Sequence, residues 1–275
     1  MKARCAICPH GCDIQEGHTG FCRARGTVDG AVTALNYGRI TSMALDPIEK
    51  KPLYRFRPGS LILSVGSFGC NLKCPFCQNC EISMADGASA DTDVVPPEKL
   101  ADRALSLVPR GNIGVAYTYN EPLIGYEYVR DCAALIHEKG LKNVLVTNGY
   151  VCEKPLLELL PLIDAMNIDL KGFTESFYRT LSGDLETVKR TITLAARHCH
   201  VEVTTLVIPG ENDSDDEMAA LSSWLSAVDP EIPLHLSRFF PRYKYAGRQP
   251  TPPETLFRLR DIAMRRLKYV YLGNV

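Results

Sequence analysis

The sequence lacks most of what would assign it to a membrane, a nucleic acid or a nucleotide. No segment approaches the roughly 20 consecutive apolar residues that a spanning helix needs, so no helical membrane protein is expected. The start, Met1-Lys2-Ala3-Arg4-Cys5, has no apolar stretch behind it, so no secretory signal is expected and a cytoplasmic setting is. Neither charge is in excess: 31 Lys and Arg face 32 Asp and Glu. That balance argues against a general binder of nucleic acid or anionic membrane. No G-x-G-x-x-G follows the first apolar strand, and no glycine-rich loop ends in Gly-Lys-Ser/Thr. Both absences set aside a doubly wound nucleotide fold. At 275 residues the chain has room for one large domain with a small appendage.

Cysteine is what the sequence has in plenty. Eleven thiols in such a chain point to metal or redox chemistry rather than disulfides. The central stretch is Gly69-Cys70-Asn71-Leu72-Lys73-Cys74-Pro75-Phe76-Cys77, just after the apolar run Leu61-Ile62-Leu63-Ser64-Val65. Three thiols spaced C-x3-C-x2-C on one loop can converge on an iron–sulfur cube, which normally takes four cysteines. Three ligands leave one iron open to a substrate or cofactor. The competing reading is a structural zinc site completed by Cys80. A second group, Cys5, Cys8, Cys12 and Cys22, opens the chain among Pro9, Gly11, Gly17 and Gly20, residues that let a backbone wrap a metal. Four soft ligands suit Zn2+ or a second iron–sulfur cluster, and the spacing leaves both open. With four cysteines available, His10 and His18 are expected to be bystanders.

Residues 1–58 therefore read as a Cys-rich, metal-binding segment, with a hairpin expected between 31–35 and 40–45 and a boundary at Pro58-Gly59. Lys50 and Lys51 read as a solvated surface pair. Residues 59–275 alternate strand and helix patterns. Strands are expected at 61–65, 113–118, 142–147, 165–170, 201–208 and 233–238, and helices at 97–108, 123–138, 153–163, 184–198, 214–228 and 253–267. Ser214-x-x-Glu217 reads as a capping box. Six such units imply a parallel sheet with right-handed crossovers. Since a full eightfold barrel takes about 250 residues, the fold class is α/β, a partial (β/α)6 TIM-type barrel with a small N-terminal Cys-rich domain.

Ligands of such barrels bind at the carboxyl ends of the strands. Polar groups are expected there in every unit. They are Asn120 and Glu121 after strand two, Thr147 and Asn148 after strand three, Asp169 and Lys171 after strand four, the Pro209-Gly210 loop after strand five and His235 on strand six. With the cysteine loop on strand one, these make a site.

The C-x3-C-x2-C loop with an aromatic before its third cysteine resembles the radical S-adenosylmethionine (SAM) superfamily. The Cys-Pro-His-Gly-Cys start, Asp46-Pro47-Ile48-Glu49-Lys50-Lys51-Pro52-Leu53-Tyr54, Tyr117-Thr118-Tyr119-Asn120-Glu121-Pro122 and Tyr271-Leu272-Gly273-Asn274-Val275 resemble the radical SAM component of the AmmeMemoRadiSam system. Glycyl-radical activating enzymes, such as pyruvate formate-lyase activase, are similar at a greater distance. The resemblance implies that Cys70, Cys74 and Cys77 ligate a [4Fe–4S] cluster whose open iron is chelated by SAM. It implies that the Phe76 region lies near the adenine, and that Asn120 and Glu121 hold the amino group. Thr147, Asn148, Asp169 and Lys171 are then ribose and carboxylate contacts, and His235 a strand-six contact. The superfamily's Gly-Gly-Glu is here Tyr119-Asn120-Glu121. The activity implied is reductive cleavage of SAM to a 5'-deoxyadenosyl radical that abstracts hydrogen from a substrate, with an electron donor such as flavodoxin or ferredoxin. Two other functions compete: an activase that makes a glycyl radical on a partner protein, and a non-enzymatic metal or electron-transfer protein.

Overall fold

The computed structural model describes residues 1–275 and begins with a cap built from two antiparallel pairs. β1 (Lys2–Arg4) pairs with β2 (Asp13–Gln15), and β3 (Arg25–Val28) with β4 (Ala31–Ala34). Cys5, Cys8 and Cys12 lie on the β1–β2 loop, and Cys22 lies on the loop that follows β2. The hairpin expected between 31–35 and 40–45 is not formed. Instead β4 folds back on β3 through Asp29-Gly30, whose φ angles of 51° and 78° are the left-handed pair that a two-residue hairpin turn demands. That Asp-Gly signal outcompetes the longer Asn36–Arg39 connection. β5 (Arg39–Ile40) goes on to a short antiparallel pair, and β6 (Ser42–Pro47) joins the main sheet beside β7 (Leu61–Gly66).

After β7 come α1 (Cys80–Ser83) and β8 (Asp93–Val94), the partner of β5. Five repeats of helix and strand follow: α2 (Pro97–Ser106) and β9 (Asn112–Tyr117), α3 (Tyr126–Glu138) and β10 (Lys142–Thr147), α4 (Glu153–Leu159) and β11 (Ala165–Asp169), α5 (Glu175–Thr180) with α6 (Leu185–Ala195) and β12 (His200–Val207), and α7 (Asp215–Val228) and β13 (Leu234–Arg238). The chain closes with α8 (Pro253–Ala263) and β14 (Val270–Gly273). The sheet runs β14-β13-β12-β11-β10-β9-β7-β6, parallel throughout except for β6. The six expected strands form the partial barrel, and β6 and β14 extend its two edges. No helix is long and apolar enough to cross a membrane.

Helix starts follow local chemistry. Asp184 accepts the Thr187 N–H at 2.7 Å ahead of α6, and the Thr174 hydroxyl caps α5. Ser214 caps α7, but its box is half made: the Glu217 carboxylate accepts the Phe173 N–H at 2.5 Å and ties the loop after β11 to α7.

The segment after β6 fills the barrel floor. Ile48 and Leu53, fully buried, pack against Ile62, Ala116, Val144 and Ala165. Burying side chains of that size contributes about 2 kcal/mol each. From the floor the chain crosses to the far edge of the sheet, where Tyr54 packs on Tyr271 (ring centroids 5.0 Å apart) and Arg55 lies 3.8 Å over the Tyr269 ring. One segment thus links both open edges of the barrel.

Candidate active site

The barrel encloses a cavity of about 610 Å3, large enough for a cofactor with a substrate beside it. Cys70, Cys74, Cys77 and Phe76 form one wall, and Asn120, Glu121, Thr147, Asn148, Asp169, Lys171 and His235 line the rest. The expected side chains around the central cysteine loop therefore border one space, whereas the Pro209-Gly210 loop does not line it. Cys80, the fourth thiol of the zinc alternative, stands at the first residue of α1 and does not line it.

The cysteine loop is held from three sides. Asn120, just past β9, donates from Nδ2 to the Phe68 and Gly69 carbonyls, both at 3.1 Å, and accepts the Ser67 N–H at 3.0 Å. Asn71 donates to the Tyr150 carbonyl at 2.7 Å and accepts from Asn148 Nδ2 at 2.9 Å. From the cap, Arg23 reaches the Cys70 carbonyl at 3.4 Å and His10 Nε2 bonds the Asn71 carbonyl oxygen at 2.8 Å. Gly69, at φ 85°, lies so close to the cap that a Cβ there would stand 2.5 Å from the Cys22 oxygen.

Glu121 organises the next two strands. Its carboxylate accepts from the Thr147 hydroxyl at 2.7 Å, the Asn148 N–H at 2.8 Å and the Leu123 N–H at 2.9 Å. Burial pushes its pKa up to about 7, against the pull of those donors. Asp169, ending β11, pairs with Lys171 at 2.7 Å. Burial opposes the Lys171 charge, yet Asp169 and the nearby Cys74 and Cys77 sulfurs outweigh it and raise the ammonium pKa. Burial raises the Cys74 thiol to about 12 and Cys70 well above its ordinary value. Such thiols ionise when a metal replaces the proton. Cys70 Sγ also accepts the Leu72 N–H at 3.4 Å and Asn148 Nδ2 at 3.6 Å, contacts that suit an anionic sulfur. Three thiols on one wall of the cavity, donors aimed at one of them and a lysine near the other two fit a three-cysteine cluster.

Tyr119 stands where the superfamily's first glycine is expected, and its φ of 70° is the conformation glycine adopts freely. The surroundings hold the tyrosine there. Its hydroxyl donates to Asp46 at 2.9 Å, its carbonyl accepts Asn79 Nδ2 at 2.7 Å, and Lys51 sits 4.9 Å from its ring centroid.

Two expectations are corrected. Lys51 is not a solvated partner of Lys50: it is 3% exposed and pairs with Asp46 at 2.9 Å, because the 48–56 segment turns back into the barrel. His235 is not at the carboxyl rim but at the second residue of β13, since that strand begins at Leu234. Its Nε2 bonds Glu202 at 2.6 Å, and its ring packs against Tyr54 and Tyr271. It borders the cavity with Lys51 and Tyr54 rather than from the rim. The loop after β13 covers the cysteine loop: Tyr245 packs on Phe76 and Phe239, and its N–H donates to the Pro75 carbonyl at 3.2 Å.

Glu202 and Asn71 escaped the sequence reading. Glu202 sits in the alternating run His200-Val201-Glu202-Val203, where nothing local tells an inward from an outward carboxylate. Asn71 adjoins a metal-ligand motif, and that adjacency was its only signal.

A family model described as the radical SAM superfamily matches residues 64–221. "Uncharacterized protein MJ0808" of Methanocaldococcus jannaschii is 42% identical over 278 residues, spanning 100% of this chain and 82% of that protein. Pyruvate formate-lyase 1-activating enzyme of Escherichia coli K12 is 25% identical over 210 residues, 70% of this chain and 85% of the enzyme. Among solved structures, Streptococcus suis SuiB bound to S-adenosylmethionine is similar with a TM-score of 0.57 at 15% identity, over 74% of this chain and 47% of SuiB. A domain of a pyruvate-formate lyase-activating enzyme from Bacteroides vulgatus gives 0.52 at 18% identity, over 58% of this chain and 99% of that one. At such identities the solved structures speak for the fold alone.

Proposed function

Because the chain belongs to the radical SAM superfamily, we propose that it is an enzyme of the AmmeMemoRadiSam type, one that starts hydrogen abstraction on its substrate by reductive cleavage of SAM. When bound, a [4Fe–4S] cluster supplies the electron that splits the SAM sulfonium into methionine and a 5'-deoxyadenosyl radical. The observation that carries the reading is the single 610 Å3 cavity onto which Cys70, Cys74 and Cys77 open together with acidic and basic side chains.

The chain's own groups bind, orient and exclude water. Cys70, Cys74 and Cys77 would hold the cluster, and Asn120 fixes the loop that carries them by its bonds to residues 67–69. Glu121, locked against Thr147 and Asn148, supplies negative charge for the SAM amine, and Lys171 beside Asp169 supplies positive charge for its carboxylate. Phe76, stacked parallel to Phe177, walls the adenine side. His235, set among Tyr54, Lys51 and Glu202, belongs to the substrate side of the same space. In this reading residues 1–58 are a metal-binding cap, holding zinc or a second cluster, on the barrel of 59–275, and a flavodoxin- or ferredoxin-type protein delivers the electron.

The test is anaerobic reconstitution followed by chromatography for 5'-deoxyadenosine. Wild type should form it under a strong reductant and Cys74→Ala should not. A Cys74→Ala protein that still cleaves SAM removes the reading. An activase is the second reading, favoured by the 25% identity to the Escherichia coli activating enzyme over 70% of this chain. A glycyl-radical doublet in electron paramagnetic resonance, on mixing with a candidate partner protein, would select it.

A further inference from the structure

The four cysteines of the cap surround a second, much smaller cavity that the barrel chemistry does not use. Cys5, Cys8, Cys12 and Cys22 line it together, closed off by Ile14, Phe21 and Ile124. We propose that this cavity holds a second iron–sulfur cluster, placed to pass an electron to the first. The proposal deepens the reading of residues 1–58 as a metal-binding cap and rests on it.

Backbone donors converge on the sulfurs. The Phe21 N–H donates to Cys12 Sγ at 3.4 Å, the His10 N–H is aimed at Cys8, and those of Ala24 and Arg25 at Cys22. A neutral thiol is a weak acceptor, and buried N–H groups are seldom spent on one. A metal-bound thiolate is the acceptor that makes such a set worth keeping, and hydrogen bonds to cluster sulfurs are a lever on potential. Arg25 adds a cation. It is 4% exposed and clamps Glu127 at 2.7 and 2.8 Å. Its Nε has no hydrogen-bond partner, and its guanidinium lies near the Cys5 thiol.

Spacing favours a cluster over a single zinc. One zinc needs its sulfurs about 2.3 Å from a single point, hence about 4 Å from one another. No three Cys, His, Asp or Glu side chains in the chain are gathered to hold one ion. The same holds for Cys70, Cys74 and Cys77, which the proposed function reads as ligands of separate irons. The aliphatic and aromatic wall also suits a cluster, which needs shielding from water.

The two cysteine groups are neighbours. Cys8 packs in one apolar cluster with Leu72, Cys74 and Phe76. The Asn71 side chain reaches Cys8 and also Asn148 (2.9 Å), which in turn contacts Cys70 Sγ at 3.6 Å. The electron would therefore leave a low-potential ferredoxin or flavodoxin, reduce the cap cluster by one unit, and pass to the barrel cluster, reoxidising the cap.

The test reconstitutes the full chain with iron and sulfide, then reads metals by plasma mass spectrometry and spins by electron paramagnetic resonance. Wild type should bind about eight irons and no zinc, and the Cys70→Ala/Cys74→Ala/Cys77→Ala triple variant should keep about four. Cys5→Ser/Cys8→Ser should keep about four, with a signal that still shifts on adding SAM. The reduced wild-type spectrum should be broadened by coupling between the two centres, relative to either variant. One zinc with about four irons in wild type, or a triple variant without iron, overturns the proposal. If wild type cleaves SAM with only about four irons, the cap cluster falls and the barrel chemistry stands. Eight irons without cleavage gives the converse.

Discussion

Glu202, wholly buried in β12, accepts His235 Nε2 from β13 at 2.6 Å, and the same carboxylate accepts the N–H groups of Tyr54 and Arg55 at 3.0 and 2.7 Å. His200 bonds it as well, at 2.9 Å. One carboxylate thus pins the segment that links the two barrel edges and fixes which nitrogen of His235 is engaged. That leaves Nδ1 clear of Glu202.

Acid stability should report this anchor. Burial alone would raise the Glu202 carboxyl, but the two histidines and the two amides outweigh it and bring it to about 2, from an ordinary value of 4.5. A depressed carboxyl contributes stability that is complete above the unfolded value and is lost as pH falls through the folded one. The loss should therefore lie between about pH 4.5 and pH 2 and amount to roughly 3 kcal/mol. Urea melts across that range should show it, and in Glu202→Gln the slope should flatten. A Glu202→Gln protein as stable as wild type at pH 7 would contradict the anchor role.

Lys51 and Lys50 should behave oppositely although they are adjacent. Lys51→Met leaves Asp46 with neutral hydroxyl donors only, and Asp46 owes its value of about 2, against the pull of burial, chiefly to Lys51 and Tyr119. Lys50, with 68% of its side chain exposed at 3.7 Å from the other Asp46 oxygen, adds little. Thermal melts should show a loss of about 2–3 kcal/mol for Lys51→Met and under about 0.5 kcal/mol for Lys50→Met.

These two residues mark where the sequence stopped being readable. The six barrel strands were legible because apolar, β-branched runs recur between amphipathic helices, and much of the cavity lining was legible because polar groups follow the first four of those runs. β14 was missed because Val270–Gly273 is short and carries no alternation. Lys51 and Glu202 were misread or missed for a different reason. A charge in a local pattern reads as solvated, and only tertiary contacts (Asp46 across a turn for one, His235 and two amides for the other) show that it is buried and paired. His235 itself was named from its chemistry, but its height on the strand depends on where β13 starts, and boundaries are the least legible feature of a sequence.

Asn120→Ala should loosen the cysteine loop while leaving the barrel intact. The substitution removes bonds to three consecutive residues, Ser67, Phe68 and Gly69; the Phe68 carbonyl keeps Asn36 Nδ2 at 3.3 Å, while the Gly69 carbonyl and the Ser67 amide are left to find water. A cost of about 1–3 kcal/mol follows from buried groups left unpaired. Hydrogen exchange should speed up over residues 67–72 and stay unchanged in β10 and β11, and iron should be lost faster to a chelator. Asn120→Asp keeps the acceptor for Ser67 and loses the donor, so an intermediate exchange rate is expected.

Lys171 should act on the charge of both the cluster and the cofactor. Its ammonium pairs with Asp169 at 2.7 Å and stands near Cys74 and Cys77. Replacing it by Met removes the positive charge that offsets the sulfurs and leaves the Asp169 carboxylate unneutralised. An added electron on a cluster held there then meets more negative charge, so a potentiometric titration should find a more negative midpoint in Lys171→Met. The carboxylate of SAM loses its cationic partner in the same variant, so affinity by equilibrium dialysis should fall at least tenfold, about 1.4 kcal/mol. Lys171→Arg keeps the charge in a larger, planar group and should restore the midpoint more fully than the affinity, because potential depends on charge whereas binding depends also on fit. A Met variant with an unchanged midpoint but weakened SAM binding would place Lys171 at the cofactor alone, with no effect on the cluster.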